Sequence, residues 1–224
     1  MRNKGLSIVF CLMLGVQLTA QLNLVAGYMG GFPNAENYNE IITRYNVGQD
    51  SLLQAFPALE VLNGVTLGAN YRMGVVSLQG LWTERFRTDE AESLNVANNT
   101  VSTSTLNTTF RSLSLGVELQ AVNVLLGGSL NYDVFRQKSK IRTAQQETIV
   151  LENGWSSRFY LGTFFRLNRV FAISIQPFVW VPWSEFDVSG LDNKLNGVEN
   201  TTTKENFKHF GISFFMYNGG QPKK

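Results

Sequence analysis

The feature that most constrains the fold of this chain is an alternation of apolar and polar residues, repeated in about eight runs of roughly ten residues. In a β-strand, successive side chains point to opposite faces, so each run builds one apolar and one polar face. A strand that crosses a bilayer at a tilt needs about 9–11 residues. The runs therefore have the length and the pattern of membrane-crossing strands.

The composition of the two faces separates a membrane protein from a soluble one. One face consists of Leu, Val, Ile and Phe, with Tyr and Trp toward the run ends, whereas the other is mostly Gly, Ser, Thr and Asn. Water-facing surfaces are usually rich in interspersed Lys, Glu and Asp. The pattern favours lipid on the apolar side and a crowded interior on the polar side. The runs cover residues 22–29, 65–72, 76–83, 112–121, 126–134, 155–166, 171–176 and 209–216.

The connections between the runs alternate in length. Turns near residues 73, 123 and 168 are short, whereas the gaps at about 30–60, 87–109, 136–154 and 183–206 are long and polar. Outer-membrane barrels have short inner turns and long outer loops. We predict an all-β fold over residues 21–217, a closed up-and-down antiparallel transmembrane β-barrel of eight strands. Both termini would be periplasmic, including a tail at 218–224, and the protein a monomer.

An export signal precedes the first run. Arg2 and Lys4 form a positive segment, Leu6–Val16 an apolar one, and Ala20 ends a small-residue cleavage site, so residues 1–20 are predicted to be a signal peptide. The apolar segment is shorter than the about 20 residues of a spanning helix. Export and the barrel pattern together predict the bacterial outer membrane.

Cleavage of this signal changes the charge balance. The chain holds 19 basic and 17 acidic residues, and loss of the first 20 residues removes two basic ones, which leaves 17 of each sign. A neutral chain gives no electrostatic reason for a nucleic-acid partner. The single cysteine, Cys11, lies in the signal, so disulfides and thiolate metal sites are excluded from the mature chain.

One residue interrupts the strand pattern. Pro177 lies within the seventh run, where it cannot donate a ladder hydrogen bond, and the residues from Phe178 to Trp183 are apolar on both faces. These two observations predict a β-bulge at Pro177.

The chain resembles small eight-stranded outer-membrane barrels of the OmpA/OmpX type. The resemblance lies in the signal, the eight runs, the alternating loops and the aromatic-rich last run Phe207–Tyr217. The segment Gly27–Phe32, followed by a long first loop, is similar to the uncharacterised outer-membrane β-barrel domain proteins. The resemblance implies no open pore and insertion by the barrel assembly machinery. That machinery recognises an aromatic residue at the end of the last strand. Because Asn218–Lys224 follow the last run here, the recognised segment would be the internal Phe214–Tyr217.

Charged residues on the polar faces predict an internal network. Asp133 and Arg158 are expected at similar heights on neighbouring strands, where burial would force them to pair. Glu118, Arg72 and Arg166 are expected to form a second cluster toward the inner end. The interpretation we favour is a structural plug rather than a catalytic or binding site.

His209 is the only histidine, which excludes multi-histidine metal sites; no metal or cofactor is predicted. It falls on the inward face near the outer rim, where it is a weak catalytic candidate. Asp133, Ser156 and Ser157 are its possible partners in Ser-His or Asp-His chemistry. No nucleophile motif supports this hypothesis.

The first outer loop carries an apolar stripe. Tyr38, Ile41, Ile42 and Tyr45 have helical spacing after Asn34, which is predicted to cap the helix. Ser51 is predicted to cap a second short turn that carries Phe56. The stripe either folds over the barrel mouth as a lid or binds a ligand or partner, with Tyr38, Ile41, Tyr45 and Phe56 as candidate binding residues.

The predicted function is non-enzymatic: an outer-membrane barrel with a filled lumen, which serves envelope integrity or surface contact through its outer loops. Its predicted partners are outer-membrane lipid and the assembly machinery, with an unknown surface partner. One alternative is a lipid-processing enzyme of acyltransfer or hydrolytic type that uses His209. Another is a soluble secreted barrel that binds an apolar ligand inside.

Overall fold

The structure is a computed structural model that describes residues 21–95, 99–142, 144–168, 171–199 and 201–218. The predicted signal at 1–20 lies outside these residues, as does the predicted tail beyond Asn218. Neither helix of the described part is long and apolar enough to cross a membrane. The helices are α1 (Glu36–Val47) and α2 (Ser189–Asn196). The strands are β1 (Gln21–Pro33), β2 (Leu52–Gln54), β3 (Leu62–Met73), β4 (Val76–Asn95), β5 (Thr100–Ala121), β6 (Val124–Lys140), β7 (Glu147–Arg166), β8 (Phe171–Pro182), β9 (Phe186–Asp187), β10 (Lys204–Glu205) and β11 (His209–Asn218).

Eight of the strands form a closed barrel. Each barrel strand pairs antiparallel with the next along the chain, in the order β1, β3, β4, β5, β6, β7, β8 and β11. The barrel closes where β1 pairs with β11, from Leu24 opposite Asn218 to Pro33 opposite His209. β2 adds to the far end of β4, and β9 pairs with β10 in a separate two-stranded ribbon. The predicted eight-stranded up-and-down barrel is confirmed.

The predicted faces of the strands are also confirmed. On β5, Leu113 and Leu115 are 63% and 73% exposed, whereas Ser112 and Ser114, which alternate with them, are buried. An exposed apolar band of this kind is stable in lipid but not in water. The closed ladder leaves no unpaired edge in the hydrocarbon, as a membrane-spanning sheet requires. The structure is therefore a transmembrane barrel of the outer-membrane type.

Four strands extend well beyond the apolar band. β4 has 20 residues, β5 has 22, β6 has 17 and β7 has 20. The predicted loops at 87–109 and 136–154 are therefore mostly strand, and the prediction was wrong in this respect. Above the band the pattern inverts, because Phe110 and Phe135 point inward while Thr109 and Arg136 point outward. Without an apolar outer face, these segments lack the membrane-strand signature, but they remain amphipathic strands in water.

Pro177 causes no bulge, so that prediction was wrong. It lies opposite Ile212 in an unshifted register with β11. On the other side, Tyr160–Phe178 and Thr163–Ile175 keep one register across the proline. The segment after Pro177 is apolar on both faces because Phe178 and Trp180 point into the lumen, where aromatic rings pack around the internal arginines.

Inward glycines make room for aromatic rings from the neighbouring strand. A Cβ atom on Gly127 would lie 2.2 Å from the Tyr160 ring, and one on Gly27 would lie 2.0 Å from the Phe215 ring. Tyr160 and Phe215 are the cross-strand partners of these glycines. Each large ring thus lies over a glycine, which fills a narrow lumen without steric conflict.

The orientation of the two faces is testable with spin labels, because the described residues contain no cysteine. Labels at Leu115→Cys and Leu130→Cys should be accessible to oxygen and shielded from a water-soluble nickel complex in bilayers, because both positions face the hydrocarbon. A label at Thr103→Cys, high on the outward face of β5, is the aqueous control. Collision with nickel at Leu115 equal to that at Thr103 would contradict the lipid-facing assignment.

Candidate functional site

The interior contains two hydrophobic cores, stacked along the barrel axis. The lower core lies in the lumen and consists of Val25, Met29, Leu81, Leu125, Tyr160, Phe164, Ala172, Phe178, Trp180, Phe215 and Tyr217. The upper core joins α1 and α2 to the inward faces of the extended strands; its largest members are Tyr38, Tyr45, Phe56, Phe110, Phe135, Phe186 and Phe207. We call the upper core and the elements around it the outer cap. A layer of buried charge separates the two cores.

Arg85 lies at the centre of this charged layer. Its side chain is fully buried, with Nη2 at 3.9 Å from the Asp133 carboxylate. Nη2 also donates to Ser112 Oγ at 3.0 Å, and Nη1 contacts His209 Nε2. The guanidinium carbon lies 3.9 Å from the centre of the Trp180 ring, a cation–π contact. Arg85 thus connects its own strand, β4, to four other barrel strands, β5, β6, β8 and β11.

Asp133 is the counter-ion of Arg85 and not of Arg158. Its two oxygens accept from Ser112 Oγ at 2.5 Å and from Trp180 Nε1 at 3.2 Å. The predicted Asp133–Arg158 pair was wrong because the register places Asp133 opposite Gly154 and Arg158 opposite Ser129. The two charges are therefore about 13 Å apart along the strand. Arg85 was missed, although the inward alternation through Leu81 and Thr83 leads directly to it.

Arg158 is held by amide, hydroxyl and aromatic groups. It donates to Gln176 Oε1 at 3.2 Å and to Ser213 Oγ at 3.1 Å. Its guanidinium carbon lies 4.8, 5.0 and 5.4 Å from the rings of Tyr160, Phe178 and Phe215. Ring faces attract cations, and the attraction is stronger where water is excluded. Arg158 therefore plugs the lumen without an ion pair among the described residues.

The predicted inner cluster of Glu118, Arg72 and Arg166 contains no ion pair in the described part of the chain. Glu118 is buried and accepts a hydrogen bond from Tyr160 Oη at 3.3 Å, while Gln79 Nε2 donates to the same hydroxyl. Arg72 instead donates to the Gly74 carbonyl at 2.9 Å, and Arg166 is exposed at the strand end. Within the described part of the chain, neither arginine lies within ion-pair distance of Glu118.

His209 is buried between the two cores. Its Nδ1 lies 2.8 Å from the Phe207 carbonyl and its Nε2 contacts Arg85, so both ring nitrogens are engaged. The imidazole stacks on Trp180 at 5.5 Å, and Phe178 packs edge-on against it. Of its candidate partners, Ser156 Oγ accepts from Asn131 and Ser157 Oγ from Trp183, while Asp133 serves Arg85. No cluster of metal-ligating side chains occurs among the residues that the structure describes.

The candidate binding residues of the first loop point inward. Tyr38, Ile41, Tyr45 and Phe56 are 1%, 0%, 6% and 2% exposed. Tyr45 packs on Phe56 with ring centres 5.5 Å apart. Tyr38 packs against Phe207 at 6.1 Å. The stripe therefore covers the barrel mouth and presents no apolar surface to solvent.

The cap of helix α1 comes from the other end of the chain. Its N-cap residue is Ala35, which makes no side-chain cap, and the Tyr38 amide donates to Glu205 Oε2 at 2.9 Å. The predicted caps Asn34 and Ser51 were wrong. The Asn34 amide donates to the Lys208 carbonyl, and Ser51 precedes strand β2 instead of a helix.

A second helix, α2, was not predicted and is joined to α1 by a salt bridge. Arg44 Nη2 lies 3.0 Å from Asp192 Oδ2, and Asn196 Nδ2 donates to the Ile41 carbonyl at 3.1 Å. The signals that could have revealed α2 are Leu191 and Leu195 at helical spacing, followed by Gly197, whose φ of 66° ends the helix in the left-handed region.

Comparisons with known proteins show similarity at the level of solved structures. No protein-family model matches the chain, and no curated protein matches it either. Similar structures include Ail, the attachment invasion locus protein of Yersinia pestis, in complex with the heparin analogue sucrose octasulfate, with 12% identity and a TM-score of 0.49 over 89% of this chain and 97% of that chain. Neisserial surface protein A has 7% identity and a TM-score of 0.47 over 89% and 97% of the two chains. The translocator domain of autotransporter NalP from Neisseria meningitidis has 11% identity and a TM-score of 0.40 over 97% and 94%.

The importance of Arg85 is testable by truncation. Arg85→Ala leaves Asp133 buried without its counter-ion, which should lower the free energy of unfolding by about 3–5 kcal/mol. The control is Arg111→Ala, because Arg111 pairs with Glu84 at 2.9 Å on the exposed face, where such pairs contribute about 0–1 kcal/mol. Urea titration of the folded barrel in micelles measures both. Equal losses in the two variants would contradict the central role of Arg85.

The cap of α1 gives a pH-dependent prediction. Burial raises the pKa of Glu205 above its ordinary value. The folded state therefore binds this proton more tightly than the unfolded state, so the stability contributed by Glu205 is full below the ordinary pKa and declines as pH rises through the raised pKa. Glu205→Gln keeps an acceptor for the Tyr38 amide and should remove this decline.

Hydrogen exchange over α1 measures the effect. At neutral pH, Glu205→Ala should destabilise the helix by about 1 kcal/mol, or roughly fivefold faster exchange, because the cap is lost. Glu205→Gln should exchange no faster than the unmodified protein. Glu185→Ala, at an exposed position, is the control. Unchanged exchange in Glu205→Ala would show that the cap contributes nothing.

Proposed function

We propose that this chain is a non-enzymatic integral protein of the bacterial outer membrane whose outer cap forms a rigid contact surface at the cell exterior. The observation that carries the proposal is the second hydrophobic core above the lumen, which makes the outer end a folded unit instead of four separate loops. A folded outer unit is suited to holding a fixed surface toward a partner, because little conformational entropy is lost on binding.

Filling of the lumen argues against transport. An eight-stranded barrel is just wide enough for side chains to fill it. Here Arg85, Arg158, Tyr160, Phe178 and Trp180 occupy the interior and bind one another across it. The same filling argues against a soluble barrel that holds an apolar ligand inside, as does the exposed apolar band outside.

The lengths of the connections support the proposed orientation. The turns at 74–75 and 122–123 lie at the same end of the barrel as Leu24 and Asn218, whereas the outer cap lies at the opposite end. Outer-membrane barrels place short turns in the periplasm. On this basis we propose that the outer cap is extracellular and both described chain ends are periplasmic. Insertion by the barrel assembly machinery is a separate part of the proposal.

The burial of His209 argues against the enzymatic alternative. A general base must lie within hydrogen-bond reach of its substrate. His209 is 5% exposed and lies beneath the outer cap, and both its nitrogens are engaged. A lipid substrate at the rim has no path to this side chain without opening of the upper core.

Sidedness can be tested by cysteine labelling of intact cells. Thr103→Cys, on the outer extension of β5, should react with an impermeant maleimide. Val75→Cys, which lies in a short turn and is 64% exposed, should react only after the outer membrane is permeabilised. Labelling of Val75→Cys on intact cells, with Thr103→Cys protected, would reverse the proposed orientation.

The non-enzymatic assignment has its own test. Purified protein in mixed micelles should neither hydrolyse phospholipid nor transfer an acyl chain, and His209→Ala should leave this result unchanged. The folded state of the variant is checked by its heat-dependent gel mobility. Turnover by the unmodified protein that a folded His209→Ala variant lacks would overturn the assignment.

A further inference from the structure

The barrel wall above the apolar band carries acids on one strand and bases on another. The outward side chains of β4 include Glu90 and Glu92, and those of β6 include Lys138 and Lys140. β5 lies between these strands, and its outward side chains at this level are short and uncharged: Thr103, Thr105, Asn107 and Thr109. We call these eight residues the charged wall. It is negative on one side, positive on the other and neutral along the middle.

The four charges of the wall have no ion pair among the described residues. Glu90 and Lys140 share one row across Thr105, but two strand spacings, about 10 Å, separate their backbones. Glu147, the carboxylate that lies next to Lys140 on β7, is bound by Lys194 instead. Both signs of charge are therefore available to a partner.

The register of the barrel sets the heights of these charges. The row of cross-strand partners that starts at Gln21 passes through all eight barrel strands and returns to β1 ten residues farther out. Two of the eight steps, from β4 to β6, therefore rise by about 2.5 residues. Since Lys140 shares a row with Glu90, the residue level with Glu90 lies about 2.5 positions lower on β6, at Lys138. By the same measure Lys140 is level with Glu92.

A second copy in the same membrane presents the inverse of this pattern. Two copies that share one orientation and form a symmetric pair are related by a two-fold axis parallel to the membrane normal. Such an axis keeps every residue at its height and exchanges the left and right sides of the facing walls. The β4 side of one copy then faces the β6 side of the other. Glu90 faces Lys138 and Glu92 faces Lys140, and each of these pairs occurs twice.

A copy in an opposing membrane does not fit the same wall. Its two-fold axis would lie in the membrane plane, which inverts height and leaves each side of the wall facing itself. Acids would then face acids and bases would face bases, and like charges across an interface repel. The charge pattern therefore selects a neighbour in the same membrane.

The shape of the wall also suits a second copy. A barrel is convex outside, so β5 forms a crest and β4 and β6 recede on either side of it. At this level the crest carries only Thr and Asn, whose short side chains let two crests approach closely. The receding strands carry Glu and Lys, whose longer side chains can cross the remaining gap.

The two crests cross at one point, because the strands of each barrel are tilted by about 40°. Thr105 is level with a point about midway between Glu90 and Glu92, since one step along a row rises by little more than one residue. The crossing therefore lies at Thr105, on the two-fold axis. Thr103 lies above the crossing, toward the outer end.

We propose that two copies of this chain associate side by side in one membrane through the charged wall, with Glu90 and Glu92 of each copy paired to Lys138 and Lys140 of the other. The proposal goes beyond the contact surface proposed for the outer cap and relies on the proposed function only for the membrane location. The monomer predicted from the sequence is the opposite outcome.

Charge reversal tests the pairing on the purified full chain, by sedimentation equilibrium in density-matched micelles. Glu90→Lys with Glu92→Lys makes the wall entirely basic, and Lys138→Glu with Lys140→Glu makes it entirely acidic. Each variant alone should dimerise about a hundredfold more weakly than the unmodified protein, because like charges then face each other. In an equal mixture the two variants should associate with each other, because every facing pair again has opposite signs.

Two controls separate the charged wall from charge in general. Lys204→Glu with Lys208→Glu also reverses two exposed lysines, but away from β4, β5 and β6, and should leave dimerisation unchanged. High salt should weaken the dimer of the unmodified protein, because it screens exposed pairs. Heat-dependent gel mobility checks that every variant is folded.

Crosslinking tests the geometry in proteoliposomes. Because Thr105 lies on the proposed axis, Thr105→Cys should give a dimer with a short bismaleimide crosslinker. Thr148→Cys is exposed on β7, two strands from β5, and should remain monomeric under the same conditions.

Two outcomes would overturn the proposal. The first is an unmodified protein that stays monomeric, with Thr105→Cys crosslinked no better than Thr148→Cys. The second is undiminished dimerisation of both charge-reversed variants, which would mean that another surface joins the copies. Neither outcome depends on which end of the barrel faces the cell exterior, so both are separate from the cell-labelling result that would reverse the proposed orientation.

Discussion

Closure of the backbone hydrogen-bond ladder is the constraint on which the rest of this structure depends. In hydrocarbon no water is present to satisfy a free amide or carbonyl, so a sheet is stable there only without edges. Pairing of β1 with β11 removes the last two edges. With eight strands the closed sheet has a narrow interior, and this width requires that the inward side chains pack against one another.

The narrow interior explains why charges can be buried in it. Desolvation of an arginine costs several kcal/mol unless partners replace the lost water. Arg85 finds a carboxylate, a hydroxyl and an aromatic face, whereas Arg158 finds three rings, an amide and a hydroxyl. The contact of Arg85 with Trp180 crosses the lumen, because β4 and β8 lie on opposite sides of the barrel, whereas Arg158 joins the neighbouring strands β7, β8 and β11. The charged layer also lies directly beneath the outer cap, so one network supports both cores.

The two cores form because apolar side chains avoid water, both within the bilayer and above it. Within the bilayer, apolar residues face outward to lipid, and beyond it they face inward, away from water. On β5 the change occurs between Phe110, which points into the cap, and Leu113, which points into lipid. Because the side-chain period is two throughout, one continuous strand serves both environments. On β6 the outward side chains first become charged at Arg136, above Tyr132 and Val134.

The sequence by itself determined the eight barrel strands, their faces within the membrane and the helical stripe of the first loop, because period-two and helical patterns depend only on nearby residues. It did not determine that Arg85 rather than Arg158 pairs with Asp133, because one register between strands decides which charges meet. Nor did it reveal that Glu205 caps α1, since donor and acceptor are 167 residues apart. The tertiary structure decided these contacts, because ion pairs and caps form between whichever groups the closed barrel brings to the same height.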